Sequence, residues 1–252
     1  MGYRFLFSSR WIALHLFVIF LVTLFVILGL WQLRRHNQVI TRNTLIISRL
    51  AAEPESFEVI AGRYDLGALP VDSRSAAYRR AVVSGYFDSE YEVLLRSRSR
   101  DGVPGWHVLT PLVMESGQAI LVDRGWVPYE LGHPSLHGAA PPKGGVKVIG
   151  TLIPGQVPRG RFSARDPPEG RLEAVFWVDL SRIMKQLPYD LESLYLEMSI
   201  QDPPQKMLPF PPNEAELTNG PHLGYAIQWF AFALIGLVGY GVLIRKTQKF
   251  QH

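Results

Sequence analysis

The sequence predicts a membrane protein in which two transmembrane helices flank a β-rich α+β extracytoplasmic domain, built as an antiparallel sheet or a partly closed barrel. Residues 11–33 hold no charged side chain apart from the ionisable His15, and residues 223–244 hold none. At about 20 residues or more, each stretch is long enough to cross a hydrocarbon core of roughly 30 Å as a helix. Short β-branched and aromatic runs between them predict the sheet.

The charges beside the two spans predict the orientation of the chain. Arginine and lysine flank the spans near both chain ends, which places both tails in the cytoplasm. Arg34 and Arg35 follow the first span, but a long loop crosses a membrane largely regardless of its charge. We therefore predict a cytoplasmic tail at 1–10, transmembrane helix 1 at 11–33, a periplasmic β-rich domain at 34–221, transmembrane helix 2 at 222–244 and a cytoplasmic tail at 245–252.

The first span has the features of a retained anchor rather than a cleaved signal peptide. It is longer than a typical apolar signal core, and no A-x-A-like cleavage site follows it. The residues before it are too few for a mitochondrial presequence. We therefore expect a multi-pass protein of a bacterial cell inner membrane, in contact with membrane lipid.

Composition excludes several classes of protein. The chain has no cysteine, which excludes a disulfide framework, a thiol copper carrier, a covalently attached c-type haem and a catalytic thiol. The net charge is +4, and the arginines are scattered without an RNA-binding motif. Nucleic acid is therefore not an expected partner.

The period of the apolar pattern changes along the middle of the chain. Residues 34–52 have a period near 3.6, which predicts a helix that continues the first span or lies on the membrane surface. Later runs predict strands at 80–87, 91–97, 106–113, 119–127, 146–153, 174–179 and 194–200, in a largely meandering antiparallel sheet. The pattern also predicts a short helix over 179–187, capped by Asp179 or Ser181. Residues 201–221 contain six prolines and predict an extended linker.

The common enzyme motifs are absent, so we predict a non-enzymatic protein without catalytic residues. Asp123 and Arg124 are neighbours in a predicted strand and point to opposite faces, which favours a structural salt bridge or a charge at the strand end. Arg96, Arg98 and Arg100 alternate along another strand and would share one face, which is either solvated or binds an anionic partner or a lipid headgroup.

Among the histidines, His133 and His137 are four residues apart, but a Gly/Pro-rich loop around them disfavours a metal site.

His222 stands at the start of the second span. On a helix, it shares one face with Tyr225, Ala226 and Trp229. An ionisable residue beside a membrane helix is costly unless it has a partner. It is therefore either an interfacial anchor in an aromatic belt or an imidazole ligand to haem iron with aromatic neighbours. His36, just beyond the first span, is the membrane-proximal histidine at matching depth and a possible second ligand.

Four stretches, in order, resemble the Surfeit locus protein 1 family of cytochrome c oxidase assembly factors. Residues 28–35 (LGLWQLRR) resemble its G-x-W-Q-x-x-R element, and 83–87 (VSGYF) with 105–112 (GWHVLTPL) resemble its central elements. Residues 121–128 (LVDRGWVP) resemble its R-G-W-V-P core, and 222–230 (HLGYAIQWF) resemble the start of its second span. The ordered set extends over nearly the whole chain.

The resemblance implies an assembly factor that assists haem a insertion into, or stabilisation of, oxidase subunit I. Subunit I and the haem a synthesis machinery are the implied partners. Haem a is the implied transient cofactor, with His222 as its axial ligand. Helical spacing adds Tyr225 and Trp229 as expected haem contacts, and matching depth adds His36. Other family positions are Gly29, Trp31, Gln32, Arg124, Gly125 and Trp126. A cofactor-free scaffold for oxidase subunits is the alternative, and a sensor is disfavoured by the short tails.

Overall fold

The computed structural model describes residues 4–64, 66, 73–131, 138–158, 160, 162–205, 207–213 and 217–250. The chain divides into two compact units, Met1–Ile46 with Glu216–His252 and Ile47–Ala215. The helices are α1 (Ser9–Leu50), α2 (Phe57–Tyr64), α3 (Ser73–Ala76), α4 (Leu180–Met184) and α5 (His222–Phe250). The strands are β1 (Glu55–Ser56), β2 (Arg80–Phe87), β3 (Val93–Arg100), β4 (Val103–Val113), β5 (Ala119–Pro128), β6 (Gly145–Pro154), β7 (Ala174–Val175) and β8 (Leu194–Asp202).

The two long helices, α1 and α5, are both long and apolar enough to cross a membrane. Helix α1 runs without a break from the predicted first span through the segment that follows it. Of the two alternatives for residues 34–52, the continuous helix is therefore the observed one. Pro54 follows soon after Leu50, and proline disfavours a helical conformation in the residue before it.

Helices α1 and α5 pack through small and aromatic residues. The ring of Phe25 stacks on Trp229 with centroids 5.6 Å apart. Gly29 lies so close to Phe230 that an added Cβ would be 2.6 Å from its ring. A glycine here allows the close approach that helix packing in lipid favours.

His15 lies within the first apolar stretch, and both of its ring nitrogens have partners. Its Nε2 donates to the Leu6 carbonyl oxygen at 3.0 Å. Its Nδ1 is therefore the acceptor for the Tyr240 hydroxyl. The polar side chain therefore has one partner in the segment before α1 and one in α5.

The strand order in the sheet is β1-β2-β6-β8-β5-β4-β3-β7, with a further pairing between β2 and β4. The prediction of a β-rich domain is confirmed, and the hairpins joining β3, β4 and β5 follow the predicted antiparallel meander. The meander fails for β8, which lies between β6 and β5 and runs parallel to β5. A chain that passes through α4 before β8 can return in the parallel direction, which a tight hairpin cannot do.

The domain buries apolar residues on both faces of the central strands. One cluster lies beneath α2 and includes Phe57, Ile60, Leu112, Ile120 and Leu196. A second cluster lies beneath α4 and includes Leu95, Leu109, Leu121, Ile183 and Tyr195. Nine of the ten residues of β5 are buried, which explains its nearly continuous apolar run.

Three predicted elements of the domain differ from the structure. The strand predicted over 174–179 is only two residues long, Ala174–Val175. The helix predicted over 179–187 is shorter, and Asp179 is its cap, accepting a hydrogen bond from the Arg182 backbone N–H at 3.1 Å. The predicted linker is wrong in part, because Phe210 forms an antiparallel bridge with Trp126 at the end of β5. Backbone hydrogen bonding draws this proline-rich segment onto the sheet.

Candidate functional site

The candidate ligand histidine is the first residue of α5. The Nδ1 atom of His222 lies 2.9 Å from the Oε1 atom of Gln32 on α1. An amide oxygen only accepts hydrogen bonds, so Nδ1 is the donor in this pair. His222 and Gln32 are 190 positions apart in sequence. Both belong to the family motifs described above, but no local sequence pattern predicted that they contact each other.

The segment before α5 is fixed by a second side chain of α1. The Asn43 amide nitrogen donates to the Thr218 carbonyl oxygen and to the Asn219 Oδ1, each at 3.1 Å. Gly220 follows with φ +66°, in the left-handed region that favours glycine. An added Cβ at Gly220 would lie 3.4 Å from Cδ2 and 3.6 Å from Nε2 of His222. Gly220 therefore lies beside the edge of the imidazole ring that carries Nε2.

The residues that were predicted to share one face of α5 do not all pack against α1. Ala226 is buried, and Trp229 stacks on Phe25, so these residues face α1. Tyr225 is 47% exposed and is not enclosed by this contact. The structure thus brings His222 and Trp229 to the helix contact and leaves about half of Tyr225 exposed.

His36 lies on α1, four residues after Gln32, which places the two on one helical face and about 6 Å apart along the axis. Its Nδ1 is buried and has no hydrogen-bond partner in the described part of the chain. No hydrogen bond joins it to His222 among the described residues, and the predicted pairing of the two histidines stays a prediction. Trp31, the neighbouring family position, is 57% exposed.

The second group of family positions surrounds a buried arginine in β5. Arg124 is fully buried and pairs with Glu92, with Nη1 and Oε2 3.0 Å apart. Its Nη2 donates to the Ala139 carbonyl oxygen at 2.6 Å and to the Gln205 Oε1 at 2.8 Å. The Thr110 hydroxyl donates to the same Glu92 oxygen at 2.6 Å. The predicted structural salt bridge at this position is confirmed for Arg124.

Burial acts against both charges of this pair. Burial raises the pKa of Glu92, while the Arg124 charge and the Thr110 hydrogen bond oppose the rise. Burial likewise lowers the pKa of Arg124, and Glu92 opposes that change. An arginine remains charged in proteins, so the pair is held as an ion pair inside the domain.

Gly125 and Trp126 continue from Arg124 to the contact with Phe210. Gly125 has φ +119°, and an added Cβ would lie 1.9 Å from the Phe210 carbonyl oxygen. The Trp126 and Phe210 backbones exchange hydrogen bonds of 2.7 and 2.9 Å, and their rings stack at 6.3 Å. These two family positions therefore have packing roles.

A third polar group lies on the opposite face of β5. The Nδ1 atom of His107 lies 2.8 Å from Asp123 Oδ2, and Asp123 pairs in register with Glu197 of β8. Burial raises the pKa of Glu197 to about 7, and the Asp123 charge adds to this rise. The hydrogen bond with Tyr195 and the charges of His107 and Arg98 oppose it.

The three alternating arginines of β3 do not share surroundings. A register shift between Leu95 and Arg98 interrupts the alternation that predicted one common face. Arg96 lies over the rings of Trp106 and Phe176, and Arg100 lies over Phe210 and donates to the Pro211 carbonyl oxygen at 2.8 Å.

No group of three or more His, Cys, Asp or Glu side chains in the described residues is placed to hold a metal ion. His133 and His137 lie outside those residues.

These features define a class of protein with a β-rich domain joined to two candidate membrane helices, in which a histidine begins the second helix and an arginine is buried in the sheet. The chain belongs to the SURF1 family, whose model matches residues 19–234.

Relatives of this family resemble the chain over most of its length. An uncharacterized SURF1-like protein of Mycobacterium tuberculosis is 27% identical over 94% of this chain and 84% of the relative. A SURF1-like protein of Rickettsia felis is 24% identical over 92% of this chain and 97% of the relative. The cytochrome oxidase assembly protein SHY1 of Saccharomyces cerevisiae is 26% identical over 67% of this chain and 43% of the relative.

Proposed function

We propose that this protein is a non-enzymatic assembly factor for a haem-copper cytochrome c oxidase. Membership of the SURF1 family supports this role, as does the similarity to a yeast protein named for cytochrome oxidase assembly. In the proposed role, the protein holds haem a as cargo and assists its insertion into subunit I or its stabilisation there. Subunit I and the haem a synthesis machinery are the proposed partners.

His222 is the proposed axial ligand, and its position at the start of α5 is the observation that carries this proposal. Its side chain is partly buried and is held through Nδ1 by Gln32. The other ring nitrogen, Nε2, lies beside Gly220, which has no side chain. An imidazole nitrogen of this kind is a common axial ligand of haem iron.

The other proposed contacts of the haem differ in their present surroundings. Tyr225 offers an exposed ring next to His222, whereas Trp229 already stacks on Phe25. His36 offers a buried Nδ1 without a partner in the described residues and is the proposed second ligand.

The proposed location is a bacterial cell inner membrane, with the β-rich domain in the periplasm and both termini in the cytoplasm. Two helices of sufficient length and apolar composition support the membrane association. Arg10 precedes the first apolar stretch, and Arg245 and Lys246 follow the second, as the positive-inside rule expects of cytoplasmic ends.

A cofactor-free scaffold for oxidase subunits is the second candidate. The packing of Trp229 favours it, because the ring stacks on Phe25 and also meets Phe232 edge to face, with centroids 6.0 Å apart. Packing between the two helices is sufficient to explain an aromatic residue at position 229, without a haem contact.

The first experiment is an optical spectrum of the detergent-purified protein after co-expression with the enzymes of haem a synthesis. We expect a haem a spectrum in the parent protein, its loss in His222→Ala and its retention in His107→Ala, because His107 is bonded to Asp123 within the sheet. Equal haem content in His222→Ala would exclude the ligand assignment. A haem-free parent on which oxidase assembly still depends would favour the scaffold.

A further inference from the structure

The contact between Gln32 and His222 determines which ring nitrogen can act as a ligand. A neutral imidazole carries its proton on one nitrogen and a lone pair on the other. Nδ1 of His222 lies 2.9 Å from an amide oxygen, which cannot donate a hydrogen bond. The proton is therefore on Nδ1, and the lone pair is on Nε2.

We infer that Gln32 is a positioning residue for His222: it holds the Nδ1–H tautomer and the ring orientation, so that the Nε2 lone pair is available to a metalloporphyrin iron. The identity of the ligand rests on the proposed function, whereas the tautomer does not. Metal-binding histidines generally donate their other ring N–H to an oxygen acceptor, and that acceptor fixes the ring. Gln32 has this relation to His222.

Nε2 lies beside a residue that has no side chain. An added Cβ at Gly220 would lie 3.6 Å from Nε2, at ordinary van der Waals distance. A side chain at position 220 would therefore contact this ring nitrogen, which glycine does not. Asn43 fixes the two residues before Gly220 through its bonds to Thr218 and Asn219, so this segment is held from α1 as well.

Two side chains of α1 therefore position this site. Gln32 orients the ring of His222, and Asn43 fixes the backbone segment that precedes it. The parts that meet here are far apart in sequence, so their assembly depends on the packing of α1 against α5. A prepared ring loses little rotational freedom on binding, which favours affinity without any new contact.

The tautomer can be measured in the full-length, ligand-free protein in detergent micelles. The probe is ¹⁵N-labelled histidine, observed by long-range proton–nitrogen correlation at alkaline pH, where imidazole is neutral. The chain has seven histidines, and comparison with His222→Asn identifies the signals of interest. We expect Nδ1–H in the parent. An Nε2–H tautomer at His222 in the parent would overturn the inference.

Substitutions at position 32 separate positioning from folding. We expect Gln32→Leu to lose the Nδ1–H preference, because leucine offers no acceptor. Gln32→Glu should keep it, because a carboxylate accepts in the same place. The matched control is Gln38→Leu on the same helix, where Gln38 is exposed and receives a hydrogen bond from Arg35. An unchanged tautomer in Gln32→Leu, with helical content retained, would also overturn the inference.

A second measurement separates this inference from the proposed function. Titration of the protein with ferric haem should give about 10–100-fold weaker binding in Gln32→Leu, as expected when the partner of a ligating histidine is lost. If the tautomer depends on Gln32 but no haem binds, the positioning stands and the haem proposal fails. If haem binds through His222 with equal affinity in Gln32→Leu, the positioning fails and the haem proposal stands.

Discussion

Arg124 and Glu92 form an ion pair, with Nη1 and Oε2 3.0 Å apart and the arginine side chain fully buried. Arg124 lies in β5, whereas Glu92 directly precedes β3, 32 residues away in sequence. The Arg124 guanidinium also lies over the Phe87 ring at 5.4 Å. The pair therefore joins β5 to the start of β3 and to the end of β2, and it gives the arginine of the R-G-W element a structural role.

Replacement of Arg124 by methionine should destabilise the domain by about 3–5 kcal/mol, because Glu92 would remain buried without its partner. The double variant Arg124→Met/Glu92→Met should recover part of the loss, since it leaves no charge unpaired. Urea unfolding of the full chain in mild detergent, followed by tryptophan fluorescence, measures both free energies of unfolding.

The control for this series is Arg63→Met. Arg63 pairs with Glu55 at 2.6 Å, but the two side chains are 46% and 37% exposed, so little change is expected. Equal losses in Arg124→Met and Arg63→Met would show that the buried pair has no special role.

Replacement of Gly125 by alanine should separate Phe210 from the end of β5. The new Cβ would lie 1.9 Å from the Phe210 carbonyl oxygen, so the backbone there must move. We expect a loss of more than about 2 kcal/mol, beyond the 1–2 kcal/mol of a left-handed conformation alone. Gly117→Ala is the matched control, because Gly117 has φ +84° and open space around it. Limited proteolysis near Phe210 and unfolding both report the effect, and similar losses in the two variants would contradict the packing role.

Replacement of Gly29 by alanine should weaken the contact between α1 and α5. The added Cβ would lie 2.6 Å from the Phe230 ring, and overpacking of this kind costs about 1–3 kcal/mol. Gly224→Ala should have no effect, because a Cβ there meets nothing within 4 Å.

The helix contact can be measured by disulfide formation. The chain has no cysteine of its own, so the double variant Phe25→Cys/Phe232→Cys contains only the two introduced thiols. The rings that they replace have centroids 6.0 Å apart. We expect Gly29→Ala to lower the disulfide yield, and adding Phe230→Ala to restore it. A yield that Gly29→Ala does not lower would argue against close packing at this glycine.

The sequence predicted most strands because each is a short β-branched or aromatic run bounded by turn residues. The predicted strand at 80–87 has the same bounds as β2. The position of β8 between β6 and β5 could not be predicted, because strand order depends on contacts between distant segments. The bulge at Ser97, with φ +58°, likewise has no glycine to mark it, and it ends the alternation of the β3 arginines.

The candidate site was predicted only in part, for a related reason. His222 was identified from helical spacing and from the cost of an ionisable residue beside an apolar stretch. Gln32 was known only as a motif position, because its contact spans the whole intervening domain sequence. The prolines around Phe210 predicted an extended linker, so its bridge with Trp126 was not predicted. Local patterns indicate elements and faces, whereas partners across the fold require the packing itself.

Glu197 gives the domain a predictable dependence on pH. Its pKa is raised to about 7 in the folded protein, chiefly by burial, with Asp123 as a second cause. A carboxyl group whose pKa is raised on folding is held protonated by the fold. Its contribution to stability is full below the ordinary glutamate pKa near 4.5 and is lost as the pH rises through about 7.

Replacement of Glu197 by glutamine removes this titration. We expect Glu197→Gln to match the parent below about pH 4.5 and to be more stable by about 1–3 kcal/mol above pH 7. Unfolding midpoints measured across this range give the difference directly, with exposed Glu115→Gln as control. A constant difference between Glu197→Gln and the parent at every pH would mean that the carboxyl group acts through packing rather than through its proton. A variant less stable than the parent at high pH would mean that the ionised form is the favoured one, held by His107 and Arg98.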